Sequence, residues 1–337
     1  MAQTNEKNNC LRLLRGFCSD IAREKTGGRG RPPIPISDAV YLACYKQYEG
    51  LSARRFMCDV GFAHDSDFIS SKPHFNSILN KLNDDDVTQA LFDLIEFTSI
   101  PLRDFERVFA ADSSGFGNSM FDRWIVIKPS GKTGRKKKKI QKRKTWTKVH
   151  LMCGVDTHIV TAVVIKGQHA SDTTQLPELV KMTAKNFELK EVCADRIYGS
   201  KKNYEVIGKH GAVPYIAFKS DAVADGPGRT GEFKLGRQLW ARMHHEMEFY
   251  TEEYLAPCHK RSNVESVFSM IKRKFGHYQR SKAETGRLNE ALAKVVCHNI
   301  CCLNSAIFEL GLDLDHLLAP RLRRVGVPQT SRLEAVE

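Results

Sequence analysis

Three acidic and two basic residues carry the chemistry this sequence could perform. Asp112 closes the apolar run Val108-Phe109-Ala110-Ala111, and Asp195 closes Glu191-Val192-Cys193-Ala194. Glu265 lies within residues 261–275, R-S-N-V-E-S-V-F-S-M-I-K-R-K-F. On a helix, at about 100° per residue, Val264, Val267, Phe268, Ile271 and Phe275 form one apolar stripe, and Arg261, Glu265 and Lys272 follow one flank of it. Glu265 is thus a carboxylate at the edge of a buried face, with a cation one turn before and another two turns after. The plain reading of Glu265 is an i, i+4 pair with Arg261, and a single Asp after a strand is commonly a turn residue. Three carboxylates gathered together instead repel one another unless divalent cations lie between them. Hard oxygen ligands in that number suit Mg²⁺ or Mn²⁺. Two such ions about 3.5–4 Å apart can activate a nucleophile and stabilise the leaving oxygen of an in-line phosphoryl displacement.

The elements around these residues decide whether they can meet. Residues 108–111, 148–155, 159–165, 191–194 and 213–218 read as strands, with helices over 172–185 and 200–209. The order is strand, strand, strand, helix, strand, helix, strand. That is the ribonuclease-H-like order, an antiparallel hairpin followed by parallel strands with crossover helices. It makes the first and fourth strands neighbours at the sheet centre, with Asp112 and Asp195 at their ends. Asp172-Thr173-Thr174-Gln175 resembles a capping box for the first crossover helix. Helices over 234–247 and 284–310 flank the Glu265 helix.

Ahead of this α/β unit the pattern is helical. Residues 11–25 can form a short amphipathic helix. Ser37 can cap a helix to residue 49, Ser52 a second over 53–60, and a third runs over 74–82. Three short helices with a turn at Gly50 fit a helix-turn-helix-like bundle or a plain helical support, and another helix spans 87–100. The expected organisation is therefore an arm and basic linker (1–35), a helical DNA-binding domain (36–104), an α/β catalytic domain (105–310) and a tail (311–337).

The 337 residues carry a formal net charge of +13, which points to a polyanionic partner, nucleic acid first. Two segments concentrate that charge. Residues 28–33, G-R-G-R-P-P, resemble an AT-hook, whose arginines, here Arg29 and Arg31, would lie in a narrow minor groove; an ordinary linker is the alternative. In residues 128–144, ten of seventeen are Lys or Arg. That charge density predicts a solvated loop whose Lys136, Lys137, Lys138 and Lys139 contact phosphates. No run of 18 apolar residues predicts a membrane span, and no apolar segment in residues 1–25 predicts a secretory leader. The ten cysteines then read as thiols of a reducing cytoplasm. The run Cys297-His298-Asn299-Ile300-Cys301-Cys302 sits on one helix and has no partner pair elsewhere, so zinc is not expected there.

At its three acidic positions the chain resembles the DDE transposases of bacterial and archaeal insertion sequences. A-A-D-S-S-G-F around Asp112 is similar to that family's D-[ST]-[ST]-G segment, and A-D-R-I-Y-G-S around Asp195 to its A-D-x-x-Y-x-S. Arg261-x₃-Glu265-x₆-Lys272 matches the family signature Y-x₂-R-x₃-E-x₆-K from its arginine onward. The tyrosine position is Cys258 here, so that aromatic's role does not carry over. The resemblance spans residues 30–305. It implies that Asp112, Asp195 and Glu265 bind the metal ions, while Arg261 and Lys272 contact phosphates of the element ends. It also implies cleavage of double-stranded DNA at terminal inverted repeats, strand transfer of the 3′-hydroxyl, a homodimer on DNA and a nucleoid-associated location in a prokaryotic cytoplasm. A catalytically silent or domesticated DNA-binding protein, and a nuclease of the same fold without strand transfer, are the competing readings.

Overall fold

The computed structural model describes residues 4–21, 33–118, 145–223 and 235–318. The linker arginines Arg29 and Arg31, the lysines Lys136 to Lys139 and the tail past residue 318 lie outside the described residues.

Among the described residues five helices come first: α1 (Glu6–Cys18), α2 (Ile36–Glu49), α3 (Met57–Asp65), α4 (Phe75–Lys81) and α5 (Asp85–Ser99). Next come β1 (Val108–Gly117), β2 (Trp146–Gly154), β3 (Val160–Lys166), α6 (Leu176–Ala184), β4 (Glu191–Ala194), α7 (Lys201–Lys209) and β5 (Val213–Ile216). The last described elements are α8 (Leu235–Phe249), α9 (Thr251–Cys258), α10 (Ser262–Phe275), α11 (Glu284–Glu309) and α12 (Leu314–Leu318). The sheet order is β3-β2-β1-β4-β5. β1 pairs antiparallel with β2, and β2 with β3, while β1–β4 and β4–β5 are parallel. This is the expected ribonuclease-H-like mixed sheet, with β1 at its centre and a helical region ahead of it.

Both faces of the sheet are covered, which is why the strands read as continuous apolar runs rather than alternating ones. One face, with Ala110, Leu151, Cys153 and Cys193, packs against α10 in a core that also takes in α1, α2, α5 and α11. The other face, with Phe109, Ala111, Met152, Val192 and Ala194, packs against α6 and α7. The α10 stripe is buried as its periodicity predicted, through Val264, Val267, Phe268, Ile271 and Phe275. α11 is long and apolar enough to cross a membrane, yet 72% of its apolar window is buried inside the fold. Its Asn299 behaves like a strand residue, accepting from Val160 N–H (2.9 Å) and donating to Val160 C=O (2.8 Å) at the edge strand β3.

Several local expectations differ from the structure. α1 begins at Glu6 and ends at Cys18, earlier at both ends than the pattern suggested. Ser37 does not cap α2. Pro35, held at φ −54° and ψ 144°, takes the position before the helix, and Ser37 is buried in the first turn. Ser52 precedes a turn, and α3 starts only at Met57. The fixed point there is Phe56, fully buried with its ring edge-on to Tyr45 at 5.2 Å. β1 does not end before Asp112 but continues to Gly117, because its antiparallel pairing to β2 persists after its parallel pairing to β4 stops. α9 had no counterpart in the sequence reading; Pro257 lies inside it.

Candidate active site

The register of the sheet positions the two aspartates. Parallel pairing of β1 with β4 runs from Val108↔Glu191 to Ala111↔Ala194, and Asp112 and Asp195 are the next residues of the two strands. Both continue the parity of Ala110 and Cys193, so they belong to the face that α10 covers. Past this point the strands separate. Asp195 turns into a short 3₁₀ helix, its Oδ1 accepting from Arg196 N–H at 2.8 Å. Asp112 stays in β1 opposite Leu151, and its Oδ1 accepts from Ser113 N–H at 2.7 Å.

α10 brings the third carboxylate. Arg261, immediately before this helix, donates to Glu265 Oε1 at 2.6 Å and lies 3.5 Å from Asp112 Oδ2. The i, i+4 pair therefore exists, but the same guanidinium also reaches a strand 149 residues away. Glu265 is more exposed than its place beside the stripe suggested, with 55% of its side chain accessible against 21% for Asp112. Burial pushes the Asp112 carboxyl above the ordinary range, and the charges of Asp195 and Glu265 push the same way. The Ser113 N–H and Arg261 oppose this without cancelling it. The region thus holds more negative charge than one guanidinium offsets.

Lys272 does not reach Glu265. It donates to Ser114 Oγ at 2.6 Å and lies over the rings of Phe116 (5.4 Å) and Phe268 (5.9 Å), where burial lowers its pKa. No carboxylate among the described residues pairs with it. Asp112, Ser114, Glu265, Lys272, Arg273 and His277 line a cleft of about 650 Å³. Gly276, at φ 84° and ψ 148°, ends α10 in a conformation that favours glycine. The turn it makes lets Gly117 pair with Tyr278, which sets His277 at the cleft.

Asp172 does not cap α6. It sits on the opposite face of β1, accepting from Ser113 Oγ (2.6 Å) and Lys148 Nζ (2.8 Å). Burial would raise its pKa, but these bonds and the Lys148 charge hold it below the ordinary value. His150, fully buried and 3.3 Å from Asp172, is pushed down to about 4 by burial and stays neutral at pH 7. This network fixes the β1 backbone beside Asp112. Gly115 completes it: a Cβ there would meet the Trp146 indole at 2.6 Å.

The residues that sequence reasoning missed at the site are Ser114, Arg273 and His277. Ser114 is inside the D-S-S-G segment and Arg273 within residues 261–275, both singled out by the sequence, whereas His277 lies two residues past that stretch and carried no signal of its own. Within the Cys297–Cys302 run, Cys297 Sγ bonds to Cys44 C=O and His298 Nε2 to His158 C=O, with Cys302 Sγ 3.4 Å from the same His298 Nε2. Cys301, with Glu6 and Cys10, forms a group whose ligand atoms lie within 4.8 Å of one another. Asp112 and Glu265 line the cleft while Asp195 lies outside its lining, and the three acids are not gathered that closely; Arg261 stands between Asp112 and Glu265.

The family model described as "Transposase DDE domain" matches residues 103–302, more than half of the chain, and its span holds all three acidic positions. The chain belongs to the DDE transposase family. No curated protein and no solved structure matches it. DDE transposases act on DNA and generally use divalent metal ions. The match begins at residue 103, within the short segment that joins α5 to β1, and ends inside α11.

Proposed function

We propose that this DDE transposase cuts DNA at the ends of its element and joins the freed 3′-hydroxyl to target DNA. Asp112, Asp195 and Glu265 serve as ligands of two Mg²⁺ or Mn²⁺ ions. The observation that supports this reading is the strand register, which makes Asp112 and Asp195 the first residues past Ala111↔Ala194, under the helix that carries Glu265.

The donor set fits such ions. It is all carboxylate oxygen, and the Asp112 carboxyl, raised first by burial, is raised further by the charges of Asp195 and Glu265, a repulsion that a divalent cation would relieve. When bound, the ions lower the barrier to attack by water or a 3′-hydroxyl and offset charge on the leaving oxygen. The chain's own residues bind and orient the DNA. Arg261 shares its guanidinium between two carboxylates and contacts a phosphate of the element end. Lys272, held by a hydroxyl and two aromatic faces, contacts a second. Lys136 to Lys139 contact further phosphates, Arg29 and Arg31 enter a narrow minor groove, the helical unit of residues 36–104 binds the terminal repeats, and a homodimer pairs the two ends.

The test is cleavage by the purified protein of DNA carrying the sequences that flank its coding region, with Mg²⁺ or Mn²⁺ supplied. Asp112→Ala, Asp195→Ala and Glu265→Ala should each reduce cleavage to background and leave DNA affinity within a few-fold, since phosphate contacts and not metal ligands supply affinity. Loss of binding in all three would assign the carboxylates a structural role. Cleavage without a joined product would reduce the activity to a nuclease's.

A further inference from the structure

Residues of α2, of the end of α10, of α11 and of the segment from Gly276 to Arg280 line a second cavity of about 210 Å³, which shares no lining residue with the cleft. Four cationic side chains line it: Lys46, Lys274, Arg280 and Lys294. Lys46 is 4% exposed and Lys294 2%, positions where lysine is rarely found without a partner. The Lys294 ammonium has partners, donating to Gly276 C=O at 2.9 Å and Tyr278 C=O at 2.7 Å. Arg280 donates to Gly50 C=O at 2.6 Å, and Lys274 is held by Glu6.

Two donors on residues that line this space lack partners among the described residues. The Lys46 ammonium makes no hydrogen bond or ion pair with a described residue. Gln47 Nε2, which also lines the cavity, is buried without a hydrogen-bond acceptor. The nearby acid, Glu290, is already engaged: Oε2 accepts from Arg280 N–H (2.7 Å), and Oε1 from Ser281 N–H (3.1 Å) and Oγ (2.8 Å). Burial depresses the pKa of Lys46, and that of Lys294 to about 8, and Glu290 only partly opposes this. Desolvated cations in excess of carboxylates are costly unless an anion joins them. The volume is smaller than the roughly 300–1,000 Å³ of sites for drug-sized ligands and suits one tetrahedral oxyanion with a few waters.

We propose that this cavity binds a phosphate group, held by the Lys46 ammonium and the Gln47 amide with Lys294 and Arg280 beside them. The phosphate belongs either to a free phosphate ion or to a DNA backbone. The site itself stands apart from the catalytic reading, and only its DNA source rests on that reading.

The probe is inorganic phosphate, titrated into the full chain by calorimetry and by thermal unfolding against chloride at matched ionic strength. Phosphate should bind and raise the melting temperature of the wild type. Lys46→Met should bind it at least tenfold more weakly and, without phosphate, should melt no lower than the wild type, because it removes an uncompensated buried charge. Gln47→Leu carries the same readout should Lys46→Met fail to fold. DNA affinity measured against salt then separates the sources. A backbone phosphate requires Lys46→Met to flatten the log–log slope by about 0.9 and free phosphate to compete with DNA. A free ion leaves both unchanged while phosphate still binds. Absence of phosphate-specific binding together with an unchanged slope, or phosphate binding retained in both variants, would overturn the proposal. None of these readings needs DNA cleavage, so failure of the site and failure of the catalytic reading remain distinguishable.

Discussion

Arg261 is where a helix salt bridge and a phosphate contact make different demands. Its bond to Glu265 is short, 2.6 Å, but Glu265 is half-exposed, so solvent screening limits that pair to about 0.3–0.5 kcal/mol. The approach to Asp112, at 3.5 Å, is long for a charge-assisted hydrogen bond. Asp112 is the more buried acid, however, and its carboxyl already suffers from burial and from the charges of Asp195 and Glu265. Arg261→Ala removes the cation shared among them. The expected loss is about 1–1.5 kcal/mol in all, of which about 1 kcal/mol is coupling to Asp112. A double-mutant cycle with Asp112→Asn, followed by urea denaturation without divalent ions, measures that coupling directly. In the Asp112→Asn background the cost of Arg261→Ala should fall to the helix pair's share. Single-turnover end cleavage by Arg261→Ala should meanwhile fall tenfold or more, about 1.4 kcal/mol in transition-state terms. A coupling within about 0.3 kcal/mol of zero would show that Arg261 does not serve the carboxylates. Cleavage at the wild-type rate would refute its phosphate contact.

Two further outcomes follow from the structure. Burial holds His150 and His298 neutral, each with its pKa pushed down to about 4. On acidification the unfolded chain takes up protons first, near 6.5, so stability is lost as pH falls from about 6.5 toward 4. At 1.36 kcal/mol per pKa unit this amounts to about 2 kcal/mol for each histidine by pH 5. Denaturation midpoints at pH 7, 6 and 5 should show it, and His298→Gln, which can still donate to His158 C=O, should remove about half; an unchanged pH profile in that variant would contradict the assignment. Gly115→Ala should destabilise the chain by about 1–3 kcal/mol and lower cleavage, because the new Cβ would lie 2.6 Å from the Trp146 indole in the strand that carries Asp112. Recovery of both properties on adding Trp146→Leu would tie the effect to that contact, and stability at the wild-type level in Gly115→Ala alone would rule it out.

The sequence by itself determined the strand–helix order and the buried stripe of α10, because each rests on local periodicity, and the partnership of the first and fourth strands, because that order admits few topologies. Val264, Val267, Phe268, Ile271 and Phe275 had to face a core whatever that core was. It also singled out Asp112, Asp195 and Glu265, because each lies in a short motif beside a strand or stripe legible in isolation. What only the tertiary structure decided depends on partners distant in the chain. Arg261 reaches Asp112 as well as Glu265, and Lys272 chooses Ser114 over Glu265, because β1 passes under α10. Asp172 read as a cap from its neighbours in sequence, yet Lys148 and Ser113, brought beside it by the sheet, claim its carboxylate. The second cavity was invisible for the same reason: Lys46 looks like any helix lysine until Lys294 and Arg280, some 230 to 250 positions later, close around it. Helical and strand periods report which face of an element is buried, and they carry no information about which polar group from another element will meet it there.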